Sequence, residues 1–237
     1  MSTRLEFLDD PYQVETEAFV LSRRGNQLIL DRSVFYPGIG VSPADQGVII
    51  LDAKRQVKVN RSDWHDEQPG ILVHFCEALP EDVAPGTKVI ARIDWGSRFA
   101  AMRTHTALHL VSVALPYPMI EGEIHAGWGS ATFEVDSTGL GARELENVVQ
   151  DLVQRKLPVK AIWTLPPLRG RRVNVGSFAW PGSNGKVRAI SIDDVDEQPC
   201  DGLHVRNTFE LGQVEITDLR RLEGRGYLCE LRIADAG

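Results

Sequence analysis

The stretch DWGSRFAAMRTHTALHLVSVAL, residues 94–115, is where the chain changes character. Before it, short β-rich segments alternate with Gly, Pro, Asp and Asn. Within it, Phe99, Met102, Thr106, His109, Leu110 and Val113 recur at steps of three and four, the spacing of one helical face. Ser97 is the expected N-cap, since its hydroxyl can accept from the first free backbone amides. Pro116 and Pro118 end the run, because proline has no amide to give a helix. The helix carries His105 and His109 four apart, on one face and with Cβ atoms about 6 Å apart. No glutamate follows His105, so the pair lacks the general base of a helical HExxH site. Taken alone, the two imidazoles are a metal grip, or one packed ring beside one bonded to a carbonyl.

Upstream, QVETEAFVLSRRGNQLILD (13–31) reads as two strands around a turn at RRGN. QGVIILD, QVKVNR, GILVHFC and TKVIARID follow as further short strands, which suggests a small barrel or curled sheet. Downstream, GWGSATFEVD reads as a strand. GARELENVVQDLVQRKL has helical spacing through Leu145, Val148, Val149, Leu152 and Val153, and Pro158 closes it. VKAIWTL and KVRAISID read as strands, and EITDLRRLEGRGYLCELRIA as a hairpin around EGRG. The fold class is therefore α+β, with an N-terminal β domain over residues 1–93 and a C-terminal α/β domain over 94–237.

Composition is that of an ordinary globular protein, at 43% hydrophobic and 25% charged, so a real core is available. No basic segment leads into an apolar run at the N-terminus, and no stretch approaches eighteen apolar residues. The expectation is a soluble, cytoplasmic protein without signal peptide or membrane span. Cys76, Cys200 and Cys229 form a poor disulfide framework and suit a reducing compartment. A net charge of -7 argues against a dedicated nucleic-acid coat protein. Its distribution points the other way. Between Asp151 and Asp193 there is no acid, while Arg155, Lys156, Lys160, Arg169, Arg171, Arg172, Lys186 and Arg188 all occur. Such a segment can present a phosphate-binding face, or form a solvated edge balanced by acids elsewhere.

PCDGLHVRNT (199–208) adds a second pair, Cys200 and His204, with Asp201 and Gly202 between them. This is turn chemistry. A tight turn can converge a thiolate and an imidazole on one point, and sulfur with neutral nitrogen favours zinc over magnesium or calcium. The long gap back to His109 argues against a zinc finger, whose ligands lie close in sequence. The alternative for Cys200 is a small buried hydrophobe. His65 and His74 are expected at the surface, and Cys76 and Cys229 in the core. His125, in EGEIHAGWG, is ambiguous; its functional readings are an outer donor or a place near substrate.

These motifs together resemble the trans-acting alanyl-tRNA editing proteins, freestanding relatives of the alanyl-tRNA synthetase editing domain. HTALH matches that family's HxxxH, CDGLH its CxxxH, and VRNTFELG the segment after it. RAISIDD is similar too, and DRSVFYPGIGVSPADQG (31–47) resembles the family's D-x-T-x-F-Y-P stretch and glycine-rich loop. The likeness runs through nearly the whole chain. It implies a translation-factor-like β-barrel, followed by the α/β editing domain of the threonyl- and alanyl-tRNA synthetase type. It implies one zinc ion per chain on His105, His109, Cys200 and His204, and hydrolysis of mischarged seryl-tRNA(Ala) or glycyl-tRNA(Ala). With a final hairpin so near its end, the chain is expected to be the compact freestanding form, a monomer or weak homodimer.

The departures fall around the substrate. Ser33 stands where the family has threonine, and Gly38, Ile39, Gly40, Val41 and Ser42 replace a run ending Gly-Gly-Gly-Gln. Leu203 and Phe209 replace threonine and glycine. Substrate preference has shifted, or activity is weakened. In this reading Ser33 tests the amino-acid side chain, since a site bonding a hydroxyl rejects analogues lacking it. His125 shuttles a proton. Tyr36, Gly38, Gly40 and Ser42 line the substrate, and Arg171 and Arg172 hold tRNA phosphates. Trp128, Trp180 and Tyr36 are candidates for stacking on the 3′ end, or for core packing. Three alternatives remain: a zinc hydrolase on another small ester or amide, a non-catalytic zinc-stabilised module that binds RNA or protein, and an inactive module without metal.

Overall fold

The computed structural model describes residues 2–165, 180, 183–224 and 226–234. The chain divides into two compact units, Met1–Ile39 with Pro43–Arg98, and Gly40–Ser42 with Phe99–Gly237.

In the first unit β1 (Arg4–Leu5) and α1 (Glu6–Asp9) precede β2 (Glu15–Arg24) and β3 (Gln27–Leu30). Then come β4 (Arg32–Ser33), β5 (Gly47–Ile50), β6 (Gln56–Trp64), β7 (Leu72–Cys76) and β8 (Lys88–Ile93). Six strands close a barrel in the order β2-β3-β7-β6-β5-β8, and β1 pairs with β4 in parallel. Closure leaves the six strands no unpaired edge. Strand alternation fills the interior: on β2, Ala18 and Val20 are buried while Glu17 and Phe19 face out. Leu28, Leu30, Phe35, Ile49, Val59 and Leu72 complete the centre of this core. Burying each such side chain stabilises the fold by roughly 1.5–3 kcal/mol.

His74 corrects the expectation of a surface histidine. It lies on β7 and is wholly buried. Its ring is satisfied on both sides: Nδ1 is 3.2 Å from the Leu28 carbonyl and Nε2 is 2.8 Å from Ser33 Oγ. A carbonyl only accepts, so Nδ1 carries the proton and Nε2 accepts the Ser33 hydroxyl hydrogen. Burial drives the His74 pKa down to about 4, with the Leu28 carbonyl opposing.

The helix α2 (Trp95–Ala114) begins earlier than Ser97 would place it. Asp94 supplies the cap. Its carboxylate accepts from the Ser97 amide at 3.2 Å and from the Ser97 hydroxyl at 2.9 Å. A carboxylate both satisfies free amides and complements the positive helix end, so it takes the role from a serine inside the first turn.

The second unit continues with β9 (Met119–His125), β10 (Trp128–Phe133) and α3 (Ala142–Gln154). It ends with β11 (Val159–Thr164), β12 (Val187–Ile192), β13 (Asp196–Pro199), β14 (Val214–Leu222) and β15 (Gly226–Ile233). One sheet runs β14-β15-β10-β9 and another β11-β12-β13. Leu145, Val149, Leu152 and Val153 are the buried face of α3. The helix is tied to β14 by Glu146, which accepts from the Ile216 amide, and Gln150, which accepts from the Val214 amide. Gly129 on β10 leaves room for Thr104 and Leu108 of α2. From Met102 to Val111 every residue of α2 is buried. No helix among the described residues is long and apolar enough to cross a membrane.

Candidate metal centre

His105 and His109 leave α2 from one face, while Cys200 and His204 come from the irregular turn after β13. The structure brings all four together, with one donor atom of each inside a 4.8 Å cluster. Cys200 Sγ lies 3.2 Å from His204 Nε2 and 3.4 Å from His105 Nε2. Around a tetrahedral zinc with bonds of about 2.0 Å to nitrogen and about 2.3 Å to sulfur, donor–donor distances are about 3.3–3.6 Å. The two Cys200 distances are close to that size, and three imidazoles with one thiolate are the donor chemistry zinc prefers.

Each imidazole is held from its far side. Thr106, between the two helical histidines, donates to the Met102 carbonyl at 2.9 Å. Its oxygen then accepts from His204 Nδ1 at 3.1 Å and from the Val205 amide at 3.3 Å. His109 Nδ1 is 3.0 Å from Asp196 Oδ2. Gln198 donates to the same carboxylate oxygen at 2.7 Å and to Ser112 Oγ at 3.1 Å. Ser42 Oγ is 3.4 Å from His105 Nδ1. With Nδ1 engaged outward, His105 and His204 turn Nε2 inward, the arrangement that fixes the tautomer of a metal-binding histidine.

The electrostatics agree with a thiolate-centred cluster. Burial works to raise the Cys200 pKa, but the His105 and His204 imidazoles outweigh it and hold the thiol well below its ordinary value. Burial, with the neighbouring His105, holds His204 well below the usual histidine value. His109 goes the other way: burial opposes its charge, yet Asp196 and Cys200 together raise it to about 9.

Gly202 is sterically required. A Cβ there would stand 2.2 Å from His105 Cε1 and 2.7 Å from Ser42 Oγ. Asp201 is buried and accepts from Trp180 Nε1 at 2.7 Å.

The remaining expected site residues are placed as follows. Ser33 is wholly buried in the first unit; besides its bond to His74 it accepts from the Phe35 amide at 3.0 Å. Tyr36 is buried, and its backbone is closed onto Asp45 in both directions. Gly38 and Gly40 take positive φ of 76° and 59°, and Ile39 and Val41 stay out of that region, so the loop keeps glycine where the turn needs it. His125 is exposed on the β9–β10 hairpin, stacked on Trp128 at 3.9 Å. Trp180 is core. Arg169, Arg171 and Arg172 lie outside the described residues. Arg155, Lys156, Lys160 and Lys186 are exposed, but Arg188 is buried and is no part of a solvent-facing basic edge.

Asp196, Gln198, Thr106 and Arg188 were not legible as site residues. Only Thr106 carries a signal, its position between the two histidines.

A barrel followed by an α/β unit bearing a three-histidine, one-cysteine cluster defines an α+β protein of the synthetase-editing type. The comparisons with known proteins agree. A family model described as tRNA synthetases class II (A) matches residues 4–97, and one for the threonyl and alanyl tRNA synthetase second additional domain matches residues 187–227. The alanine–tRNA ligases of Korarchaeum cryptofilum and Ignicoccus hospitalis are each 30% identical over 93% of this chain and 25% of their own length. That of Methanothermobacter thermautotrophicus is 30% identical over 94% of the chain and 25% of its own length. The chain is thus similar to the alanyl-tRNA synthetases, and its C-terminal part matches the second additional domain of the threonyl and alanyl enzymes. It spans about a quarter of the length of the curated relatives it matches.

Proposed function

We propose that this chain hydrolyses the ester bond of mischarged aminoacyl-tRNA, with seryl-tRNA(Ala) or glycyl-tRNA(Ala) as substrates. The observation that carries the reading is the convergence of His105, His109, Cys200 and His204 in a relative of alanine–tRNA ligases. An aminoacyl ester is already an activated bond, so the chain's task is to place ester and water and to exclude other substrates. Bound zinc would supply Lewis acidity toward an ester carbonyl or a water.

The chain's own residues then have distinct parts. Thr106, Asp196 and Ser42 fix the imidazoles from outside. Ser33, its proton held by His74, acts at one remove by fixing the Phe35 amide ahead of Tyr36. His125, open to solvent, is a proton carrier. Exposed Arg155, Lys156, Lys160 and Lys186, with Arg171 and Arg172, contact tRNA phosphates.

One observation favours a second reading. Four protein donors fill a tetrahedral shell, the habit of a structural ion. On that reading the protein is a zinc-stabilised RNA-binding module without turnover. Deacylation of seryl-, glycyl- and alanyl-tRNA(Ala) by wild type and Cys200→Ala separates the two. Selective release of serine or glycine by wild type, lost in Cys200→Ala, is expected. Binding of tRNA without hydrolysis, by zinc-loaded wild type, contradicts the proposal.

A further inference from the structure

The turn that carries Cys200 and His204 has no regular secondary structure to hold it, yet two of its donors must meet two others fixed on a helix. Two of its carbonyls are held by one side chain. Arg188, on β12, is 4% exposed, and its Nη1 donates to the Cys200 carbonyl at 2.7 Å and to the Gly202 carbonyl at 2.8 Å. The Cys200 amide in turn donates to the Arg188 carbonyl at 3.2 Å. Between the two gripped carbonyls, Asp201 is fixed by Trp180. The second gripped residue is the glycine whose missing Cβ makes room for the His105 ring.

We infer that Arg188 is the positioning residue of the metal centre: it holds the Cys200–Gly202 turn in its metal-receiving shape. A guanidinium carries several N–H donors in a rigid plane, so one buried arginine can bind neighbouring carbonyls that a turn leaves without strand partners. Losing the grip releases the Cys200 and Gly202 carbonyls, with only the Cys200 amide still tied to residue 188, and lets Gly202 leave the His105 ring. Cys200 Sγ then moves relative to both histidines it faces. Lysine keeps the charge but is a single compact ammonium on a flexible stem, less pre-organised than a guanidinium to bond both carbonyls at once. This inference rests on the four residues holding a metal.

The test measures zinc affinity by competition with a chromophoric chelator, and the cobalt(II) absorption spectrum, for wild type, Arg188→Met, Arg188→Lys and Arg23→Met. Arg23 is the control for lost arginine–carbonyl bonds in general, since it donates to the carbonyls of Leu79, Pro80 and Val83 in the first unit. Expected is a loss of affinity of roughly 10- to 100-fold in Arg188→Met, the range seen when outer partners of metal ligands are removed. The thiolate-to-cobalt absorption band weakens or shifts with it. Arg188→Lys falls between Arg188→Met and wild type, and Arg23→Met stays within about twofold of wild type. If Arg188→Met does not fold, Arg188→Lys carries the test. Arg188 variants matching wild type in affinity and spectrum overturn the inference while leaving the metal reading intact; a wild type that binds no metal sinks both.

Discussion

His109 Nδ1 stands 3.0 Å from Asp196 Oδ2, both side chains are buried, and Gln198 bonds the same carboxylate oxygen. An imidazole so held presents its other nitrogen to the cluster in one orientation. Asp196→Asn keeps the shape and removes the charge. It is expected to weaken zinc binding by roughly 10- to 100-fold, measured by chelator competition, with little change in circular dichroism.

Gly202→Ala tests the close approach of the turn to α2. The added Cβ would meet His105 Cε1 at 2.2 Å and Nδ1 at 2.4 Å. Relief requires moving the turn or the ring, and each carries a donor. Loss of tight zinc binding is expected. Gly25→Ala, where a Cβ meets nothing within 4 Å, should cost only about 1 kcal/mol of backbone strain and leave zinc binding unchanged.

Thr106→Val removes an acceptor without changing shape. His204 Nδ1 and the Val205 amide lose their shared partner in a buried setting. Each unsatisfied buried group costs about 1–3 kcal/mol. A lower urea midpoint and weaker zinc binding are therefore expected together. Unchanged zinc affinity would show that His204 orientation does not depend on Thr106.

The barrel should lose stability on mild acidification through His74. Its pKa falls from 6.5 in the open chain to about 4 in the fold, so the unfolded chain takes up the proton first. The stabilising contribution is whole above pH 6.5 and is lost as pH falls toward 4. Between pH 7 and pH 5 the loss is about 2 kcal/mol from this group alone. Urea unfolding at the two pH values should show it, and His74→Gln should lessen the difference by that amount.

The barrel was legible because β2, β3, β5, β6, β7 and β8 carry alternating apolar residues between turn residues, and α2 because its apolar spacing continues to Val113. β9 and β13 were not legible. Glu121 and Glu123 break the apolar pattern of β9, an edge strand. The sequence of β13, DEQP, is polar because Asp196 and Gln198 turn toward His109. His74 misled for a related reason: a lone polar residue on a strand reads as solvent-facing unless its two buried partners, distant in sequence, are known. The four donors were legible as two pairs. Their outer supports lie in contacts between segments 63 to 98 residues apart, which no local pattern encodes.

X-ray absorption at the zinc edge of the metal-loaded chain addresses the central claim most directly. One sulfur donor at about 2.3 Å and three nitrogen donors at about 2.0 Å, with one zinc per chain, are expected. A chain that retains no zinc, or zinc without a sulfur neighbour, contradicts a centre built from His105, His109, Cys200 and His204.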